Sequence, residues 1–330
     1  MEVQSRAPQH HPNETPDAVV EVILEARRAH PSWGPRKVVA WLARTAPELA
    51  VPCTSTVGAI LKRHGLVAPR VRRPRPPRFN GALTPGLTPN LVWCVDFKGQ
   101  FAVGNGRICW PLTMTDLHSR YLLRCTALTT SRTHQAKPVF LSAFQEFGLP
   151  DVIRSDNGVP FSSRAPGGLS QLSAWWIKLG IRPERTEPSR PDQNGSHERM
   201  HKTLKAETTK PPQATITAQQ RRFGTFRTEF NEERPHEALG MATPASIYVP
   251  SARPYPRKMF SPEYEEDQVV RAVSPTGETH FKGFTVYCGR AVAGESVAFR
   301  QESESRWEVR YYNYVIGHIT LEGICVLRPQ

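Results

Sequence analysis

The chain has 330 residues, 38% of them hydrophobic, which is enough for two or three domains with a sizeable core. Lys and Arg outnumber Asp and Glu by 43 to 30, and the net charge of +13 favours a polyanionic partner such as DNA. A merely solvated basic surface would give the same total, so the placement of the charges must decide. No apolar run of 18 or more residues and no signal-peptide pattern occurs, which predicts a soluble, cytoplasmic protein with no membrane partner. The six cysteines form no Cys-x-x-Cys pair, so neither a disulfide framework nor a zinc knuckle is indicated.

The N-terminal part of the chain predicts a small helical domain. Residues 1–14 carry almost no apolar side chain and are expected to be disordered, and the domain is expected to span 15–68. Three helix starts follow in order: Thr15-Pro16, Gly34-Pro35 and Thr54-Ser55. Three short helices are typical of a helix-turn-helix unit, in which the last helix would present Lys62 and Arg63 to DNA. A plain three-helix bundle is the alternative.

A basic, proline-rich linker is predicted at 69–90. Its basic stretch begins in the preceding helix at Lys62 and ends at Arg78, and it contains four prolines and no acid. A solvated spacer needs no such uniform sign, so the arginines are expected to contact a phosphate backbone or minor groove. The DNA-binding candidates in this linker are Arg72, Arg73 and Arg75.

The segment 91–249 predicts a mixed α/β sheet. Three strand-like runs with short connections come first, and the Asn105-Gly106 pair is typical of a tight hairpin. Helices and short apolar strands then alternate. The predicted strands are 91–103, 107–115, 121–128, 152–156 and 181–184, and the predicted helices are 133–147, 169–179 and one from about 194.

The C-terminal part of the chain predicts a small β-barrel. Residues 250–262 hold four prolines and three basic side chains, which marks a second basic linker, expected to span 250–266. From 267 to 330 short strand-like runs alternate with glycine-containing turns. The predicted strands are 268–273, 280–287, 296–300, 306–312 and 314–319.

Three acidic residues stand in settings that suggest one metal site. Asp96 lies in an apolar strand, where a charge is costly unless a cation or hydrogen bonds offset it. Asp156 ends a strand before an Asn-Gly turn, and a turn-capping role would also explain it. Glu198 lies in the first turn of a helix, where the helix dipole alone could account for an acid. Carboxylate oxygens select Mg²⁺ or Mn²⁺, so a fold that brings the three together predicts such an ion.

The helix that carries Glu198 also carries basic residues. Glu198, His201, Lys202 and Lys205 have the spacing of one helical face, which favours a metal-binding acid beside phosphate-binding lysines. A simple Glu198–Lys202 pair within the helix is the alternative. Residues 197–201 also match His-Glu-x-x-His, the zinc helix of many metalloproteases. That reading lacks a patterned third ligand and leaves Asp96 and Asp156 without a role, so it is a remote alternative.

Four short motifs together resemble the integrase-core transposases of bacterial insertion sequences, relatives of retroviral integrases. The motifs are Trp-x-x-Asp-Phe at 93–97, Thr-Asp-x-x-Ser-Arg at 115–120, Ser-Asp-Asn-Gly at 155–158 and Asn-Gly-x-x-Glu-Arg at 194–199. The resemblance covers most of the chain. It implies a ribonuclease-H-like core, a DDE triad of Asp96, Asp156 and Glu198, a loop at Asn194, and DNA near Lys202 and Lys205. Asp192, 36 positions after Asp156, has the spacing usual in that family, but the motif around Glu198 favours Glu198.

The resemblance also implies a reaction and partners. Two Mg²⁺ or Mn²⁺ ions about 3.5 to 4 Å apart would be held by the triad. Water would cleave the 3′ end of a mobile element, and the freed 3′-hydroxyl would attack target DNA, without a covalent protein intermediate. The expected partners are the terminal inverted repeats, target DNA and further copies of the chain, in a nucleoid-associated setting. The alternative is a transposase-derived protein that binds DNA without cutting it.

Overall fold

The computed structural model describes residues 14–67, 83–187, 193, 195–259 and 261–321. Two compact units result, Met1–Arg75 with Glu232–Thr243, and Pro76–Asn231 with Pro244–Gln330. The first unit therefore combines the N-terminal segment with a short segment from later in the chain, Glu232–Thr243. The arginines of the predicted first linker (Arg72, Arg73 and Arg75), and also Asn194 and Asp192, lie outside the described residues.

The first unit contains three helices around one apolar cluster. They are α1 (Asp17–Ala29), α2 (Pro35–Thr45) and α3 (Thr54–Arg63). Trp33, Val38 and Leu61 are 0%, 0% and 1% exposed, as the helical spacing of the apolar residues predicts. Hydrogen bonds hold the segment Glu232–Thr243 to the N-terminal helical segment: Arg44 donates to the carbonyl of Glu233, and Arg234 donates to the hydroxyl of Ser32. On α3, Lys62 and Arg63 are exposed, so their charges are accessible.

The second unit is built on a mixed sheet. Its strands are β1 (Val92–Phe97), β2 (Phe101–Ala102), β3 (Ile108–Asp116), β4 (Leu122–Leu128), β5 (Val152–Ser155) and β6 (Arg182–Arg185). The strands lie in the order β4, β3, β1, β5, β6, and β2 pairs with the start of β3. The first three long strands are antiparallel, and β5 and β6 run parallel to β1. The predicted mixed α/β core is thus observed.

Helices cover both faces of this sheet. They are α4 (Thr133–Phe147), α5 (Gln171–Lys178), α6 (Gly195–Thr208) and α7 (Ile216–Thr228). Trp93 and Val95 of β1 join the cluster that contains Phe140 of α4 and Trp176 of α5. The opposite face packs on α6 and α7 through a second cluster that includes Met200 and Phe223 among its members. Successive residues of a strand point to opposite faces, so Asp96 is on the α6 side.

Two parts of this unit differ from the predicted elements. Helix α7 was not predicted, although its phenylalanines at 223 and 226 are buried at helical spacing and Thr215 caps it by accepting from the amide of Ala218. The predicted strand 280–287 is a hairpin, because Lys282 and Gly283 both adopt positive φ (46° and 82°) and turn the chain.

The C-terminal strands pack against the core. They are β7 (Val269–Ala272), β8 (Glu278–Phe281), β9 (Phe284–Tyr287), β10 (Ser296–Gln301), β11 (Arg306–Tyr311) and β12 (Tyr314–Thr320). Four form an antiparallel sheet in the order β12, β11, β10, β7, and β8 pairs with β9. A closed barrel stays a prediction. Leu169 and Ile177 of the core share one buried cluster with Val286 and Phe299 of these strands.

The segment before the C-terminal strands, predicted as part of a basic linker, is bound to the core. The Arg253 guanidinium donates to the carbonyls of Pro150, Leu179 and Gly180 and forms a 2.6 Å ion pair with Asp151. This guanidinium therefore serves an internal contact, unlike the exposed Lys258.

No helix of the described residues is long and apolar enough to cross a membrane.

Candidate active site

Asp96 is a partly buried carboxylate on the α6 side of the central strand. Its side chain is 28% exposed. Burial raises the pKa of Asp96 from 3.8 to about 7, and the negative charges of Asp156 and Glu198 add to the rise. The backbone amide of Phe97 and the charge of Lys98 oppose it. Asp96 therefore lies within electrostatic reach of both other predicted acids.

Asp156 and Glu198 are exposed, unlike Asp96. Asp156 follows β5, and its Oδ1 accepts a 3.0 Å hydrogen bond from the amide of Gly158. The turn-capping role that the sequence offered as an alternative is therefore present, and it orients the carboxylate. Glu198 lies in the first turn of α6, where the helix dipole favours an acid. Sheet and helix thus bring three acids, separated in sequence by 60 and 42 positions, to one region.

The two histidines of the His-Glu-x-x-His match face the sheet. His197 and His201 are 1% and 3% exposed. His197 Nε2 lies 2.8 Å from Thr113 Oγ1, and His197 Nδ1 lies 2.8 Å from Thr115 Oγ1. His201 Nε2 lies 2.6 Å from the same Thr113 oxygen, and His201 Nδ1 lies 3.6 Å from Asp96 Oδ2.

Burial keeps both imidazoles neutral. It lowers the pKa of His197 to about 3, and it lowers the pKa of His201 further below the ordinary value, with a contribution from His197. A neutral imidazole has one N–H donor and one ring nitrogen with a free lone pair. Each ring therefore offers one acceptor nitrogen.

The face of α6 differs from the predicted one in one residue. Glu198, Lys202 and Lys205 are exposed, whereas His201 belongs to the buried stripe that also contains Met200. The helical spacing puts His201 at the edge of the charged face, and its side chain turns towards the sheet to hydrogen-bond with Thr113 of β3. The two lysines remain accessible to phosphate.

Within the described residues, two groups of three candidate ligands have their ligand atoms within 4.8 Å of one another. One is Asp96, His197 and His201, and the other is Glu302, Glu308 and His318. The second group is already occupied by arginines, since Arg306 pairs with Glu302 while Arg300 and Arg310 pair with Glu308. The three predicted acids as a set are more widely spaced than either group.

The donor atoms around Asp96 fit a divalent cation. Carboxylate oxygens are suitable ligands, and a bound cation would offset both the burial and the repulsion by neighbouring acids that raise the pKa of Asp96. The sequence motifs had indicated these three acids. The sequence did not predict the contact between His201 and Asp96. This contact depends on the strand pairing that places Asp96 opposite Thr113, and local sequence patterns do not reveal that pairing.

Comparison with known proteins supports the resemblance found in the sequence. Two models described as integrase core domain match residues 87–191 and 179–244. A 31.7 kDa protein of insertion element IS407 from Burkholderia multivorans, itself uncharacterised, is 28% identical over 165 residues, 48% of this chain and 55% of the relative. The transposase InsD of insertion element IS2 from Escherichia coli is 27% identical over 230 residues, 65% of this chain and 72% of the relative.

Similarity to solved structures is lower in sequence identity. The catalytic core domain of HTLV-2 integrase in complex with magnesium has 18% identity and a TM-score of 0.40, and the match covers 50% of this chain and 99% of that one. The chain spans about half the length of the IS407 relative. Residues 87–191 and 179–244 thus match the integrase core domain, and the chain is similar to a transposase and to a further protein of bacterial insertion elements.

Proposed function

We propose that the chain is a DNA transposase that cleaves the 3′ ends of a mobile element and joins them to target DNA. One observation carries the proposal: in an integrase core domain, a half-buried Asp96 shares its electrostatic environment with Asp156 and Glu198. Two further carboxylates beside a desolvated one are costly unless a cation compensates for their charge. The net charge of +13 supports DNA as the substrate.

The chain's own residues supply positioning. Asp96, Asp156 and Glu198 would hold Mg²⁺ or Mn²⁺, expected as two ions, whose chemistry is to activate the attacking oxygen and to stabilise the leaving one. The pairing of β1 with β3 fixes the backbone of Asp96 opposite Thr113. The amide of Gly158 orients Asp156.

DNA contacts are assigned to exposed basic groups. Lys202 and Lys205 lie one turn apart on the solvent side of α6, close in sequence to Glu198, and would bind the phosphates that flank the reacting one. Lys62 and Arg63 on α3 would contact DNA from the helix-turn-helix unit. Arg72, Arg73, Arg75 and Asn194 complete the proposed DNA-binding set from the sequence alone. Assembly of several copies on the element ends is part of the proposal.

Asp96→Asn is the first test of this function. The amide keeps the shape of the side chain but removes its negative charge, so joining of an element-end oligonucleotide to supercoiled plasmid in Mg²⁺ or Mn²⁺ should fall at least about 10³-fold. Binding to the same oligonucleotide should be unchanged, because phosphate contacts lie elsewhere. The oligonucleotide carries the terminal repeats that flank the coding sequence.

Asp267→Asn, a change of an exposed aspartate outside the core sheet, is the matched control and should join DNA normally. Strand transfer by Asp96→Asn would overturn the assignment. Binding of the ends by the wild-type protein without joining in either metal would favour the DNA-binding alternative.

A further inference from the structure

A hydroxyl group organises the buried side of the site. Thr113 Oγ1 lies 3.1 Å from the backbone carbonyl of Asp96, to which it donates. The same oxygen lies within 2.8 Å of Nε2 of both His197 and His201. A hydroxyl has one proton and two lone pairs, so its two lone pairs accept from the two imidazoles. We therefore assign the hydrogen of both rings to Nε2.

This tautomer fixes what the other ring nitrogens do. With the hydrogen on Nε2, Nδ1 of each ring is the nitrogen left to accept a hydrogen bond or to bind a cation. Nδ1 of His197 accepts from the hydroxyl of Thr115 at 2.8 Å and is satisfied. Nδ1 of His201 instead faces Oδ2 of Asp96 at 3.6 Å. Two lone pairs that face each other repel unless a proton or a metal cation lies between them, and 3.6 Å is too long for a good hydrogen bond through a shared proton.

A metal ion fits this gap. Ligand distances of about 2.1 Å from nitrogen and oxygen to a divalent cation place two neighbouring ligands about 3 to 3.5 Å apart. The observed 3.6 Å is close to that range. The site therefore presents a nitrogen and an oxygen from two elements, β1 and α6, as a ready pair of ligands.

We propose that His201 binds, through Nδ1, the same divalent cation as Asp96, which makes the site a mixed nitrogen and oxygen centre that favours Mn²⁺ or another transition metal over Mg²⁺. The inference rests on the proposed function, because it deepens the metal site of the same triad. Imidazole nitrogen binds transition metals better than it binds Mg²⁺, which prefers oxygen. The two histidines that match a zinc helix thus have different roles. His201 binds the metal, and His197 holds the Thr113 hydroxyl that sets the tautomer.

Pulsed electron paramagnetic resonance of bound Mn²⁺ tests this directly. The whole chain is prepared with natural-abundance or ¹⁵N-labelled histidine, and the hyperfine coupling of Mn²⁺ to nitrogen is recorded without DNA. The wild-type spectrum should show one histidine nitrogen that responds to the label. Its absence in a protein that binds Mn²⁺ would overturn the inference and leave the carboxylate site standing.

Two variants identify the ligand. In His201→Gln the side-chain amide can replace Nε2 and keep the bond to Thr113, but it offers no Nδ1, so the coupling should vanish and the Kd for Mn²⁺ should rise about tenfold or more. In His197→Gln the side-chain amide keeps the donor to Thr113 and so the tautomer of His201, and the coupling should persist because residue 197 does not bind the metal. Loss of the coupling in His197→Gln, or two coupled nitrogens in the wild type, would favour a joint histidine chelate and overturn the proposal.

Metal selectivity supplies a second readout. The ratio of Mg²⁺ Kd to Mn²⁺ Kd should fall by about tenfold in His201→Gln, since only the nitrogen ligand discriminates between the ions. His280→Asn, in the C-terminal hairpin, is the histidine control and should keep the wild-type ratio. Asp96→Asn should bind no Mn²⁺ up to millimolar concentration. If the wild-type protein also binds none in that range, both this inference and the proposed function fail.

Discussion

At the scale of single residues, Asp96 shows how burial and charge act together. A carboxylate on a central strand is desolvated on the side that faces α6, and two further acids add repulsion. The side chain is therefore held in a state that a cation would stabilise, and the unliganded protein bears a free-energy cost for it. Natural active sites commonly combine these features.

This cost predicts a pH dependence in metal-free protein. Because the pKa of Asp96 is raised from 3.8 to about 7, the native state binds the proton more tightly than the unfolded state, and the free energy of unfolding falls as pH rises from about 4 to 7. Asp96→Asn lacks this pH-dependent contribution to the free energy of unfolding, because its side-chain amide does not titrate. In EDTA the variant should gain stability relative to wild type between pH 5 and pH 8, on the order of 2 to 4 kcal/mol.

Urea unfolding followed by circular dichroism at both pH values measures the difference. Asp267→Asn should show the same offset from wild type at pH 5 and pH 8. An offset for Asp96→Asn that does not change with pH would contradict the burial argument.

At the scale of elements, α6 separates two functions by face. Its buried stripe carries His197, His201 and Met200, and its exposed side carries Lys202 and Lys205. One helix thus presents imidazoles to the sheet and cationic side chains to the solvent. The arrangement follows from the helical period, since residues three and four apart share a face.

The exposed lysines predict a salt-dependent effect on DNA binding. Replacing both Lys202 and Lys205 by Ala should weaken binding and reduce the slope of log K against log salt concentration by about 2, because each lysine releases about one counterion. Fluorescence anisotropy with an element-end oligonucleotide between 50 and 200 mM salt measures it.

The matched control for these lysines is Lys137→Ala. Lys137 is an exposed lysine on α4, which covers the opposite face of the sheet. It should leave the slope unchanged. An unchanged slope in the double variant would remove α6 from the DNA-binding surface.

Local sequence patterns were sufficient for much of the core. The helix predicted at 133–147 has those bounds in the structure, because its apolar residues are strongly periodic. Helix α7 was missed, since polar and charged residues dilute its periodic phenylalanines. The role of His201 could not be predicted for another reason: it depends on the register that places Asp96 opposite Thr113, and register is set by the whole sheet.

At the scale of the whole molecule, the C-terminal strands are part of the second unit rather than a separate domain. Ile177 of α5 is 2% exposed and lies in the cluster shared with Val286 and Phe299. Across the same contact Lys178 forms a 2.5 Å ion pair with Glu295. The sequence indicated strands here but held no signal for their docking, since the partner residues are more than 100 positions away.

Docking predicts a shared unfolding transition. Ile177→Ala removes buried methyl and methylene groups from the joint cluster and should lower the free energy of unfolding by about 2 to 5 kcal/mol. Core and C-terminal strands should unfold at one denaturant midpoint, measured by hydrogen exchange with mass spectrometry on peptides from both. Ile108→Ala, at a side chain 41% exposed, should cost less than about 0.5 kcal/mol. Separate midpoints for the two regions would show that they fold independently.

The anchoring of Arg253 has a consequence for reach. Its guanidinium holds the chain to the carbonyls that end α5 and to Asp151 before β5. Only residues 254–268 remain between this anchor and β7. The C-terminal sheet is thus attached to the core by its apolar cluster and preceded by a chain segment that is itself bound to the core, so we expect the sheet to move with the core as one body.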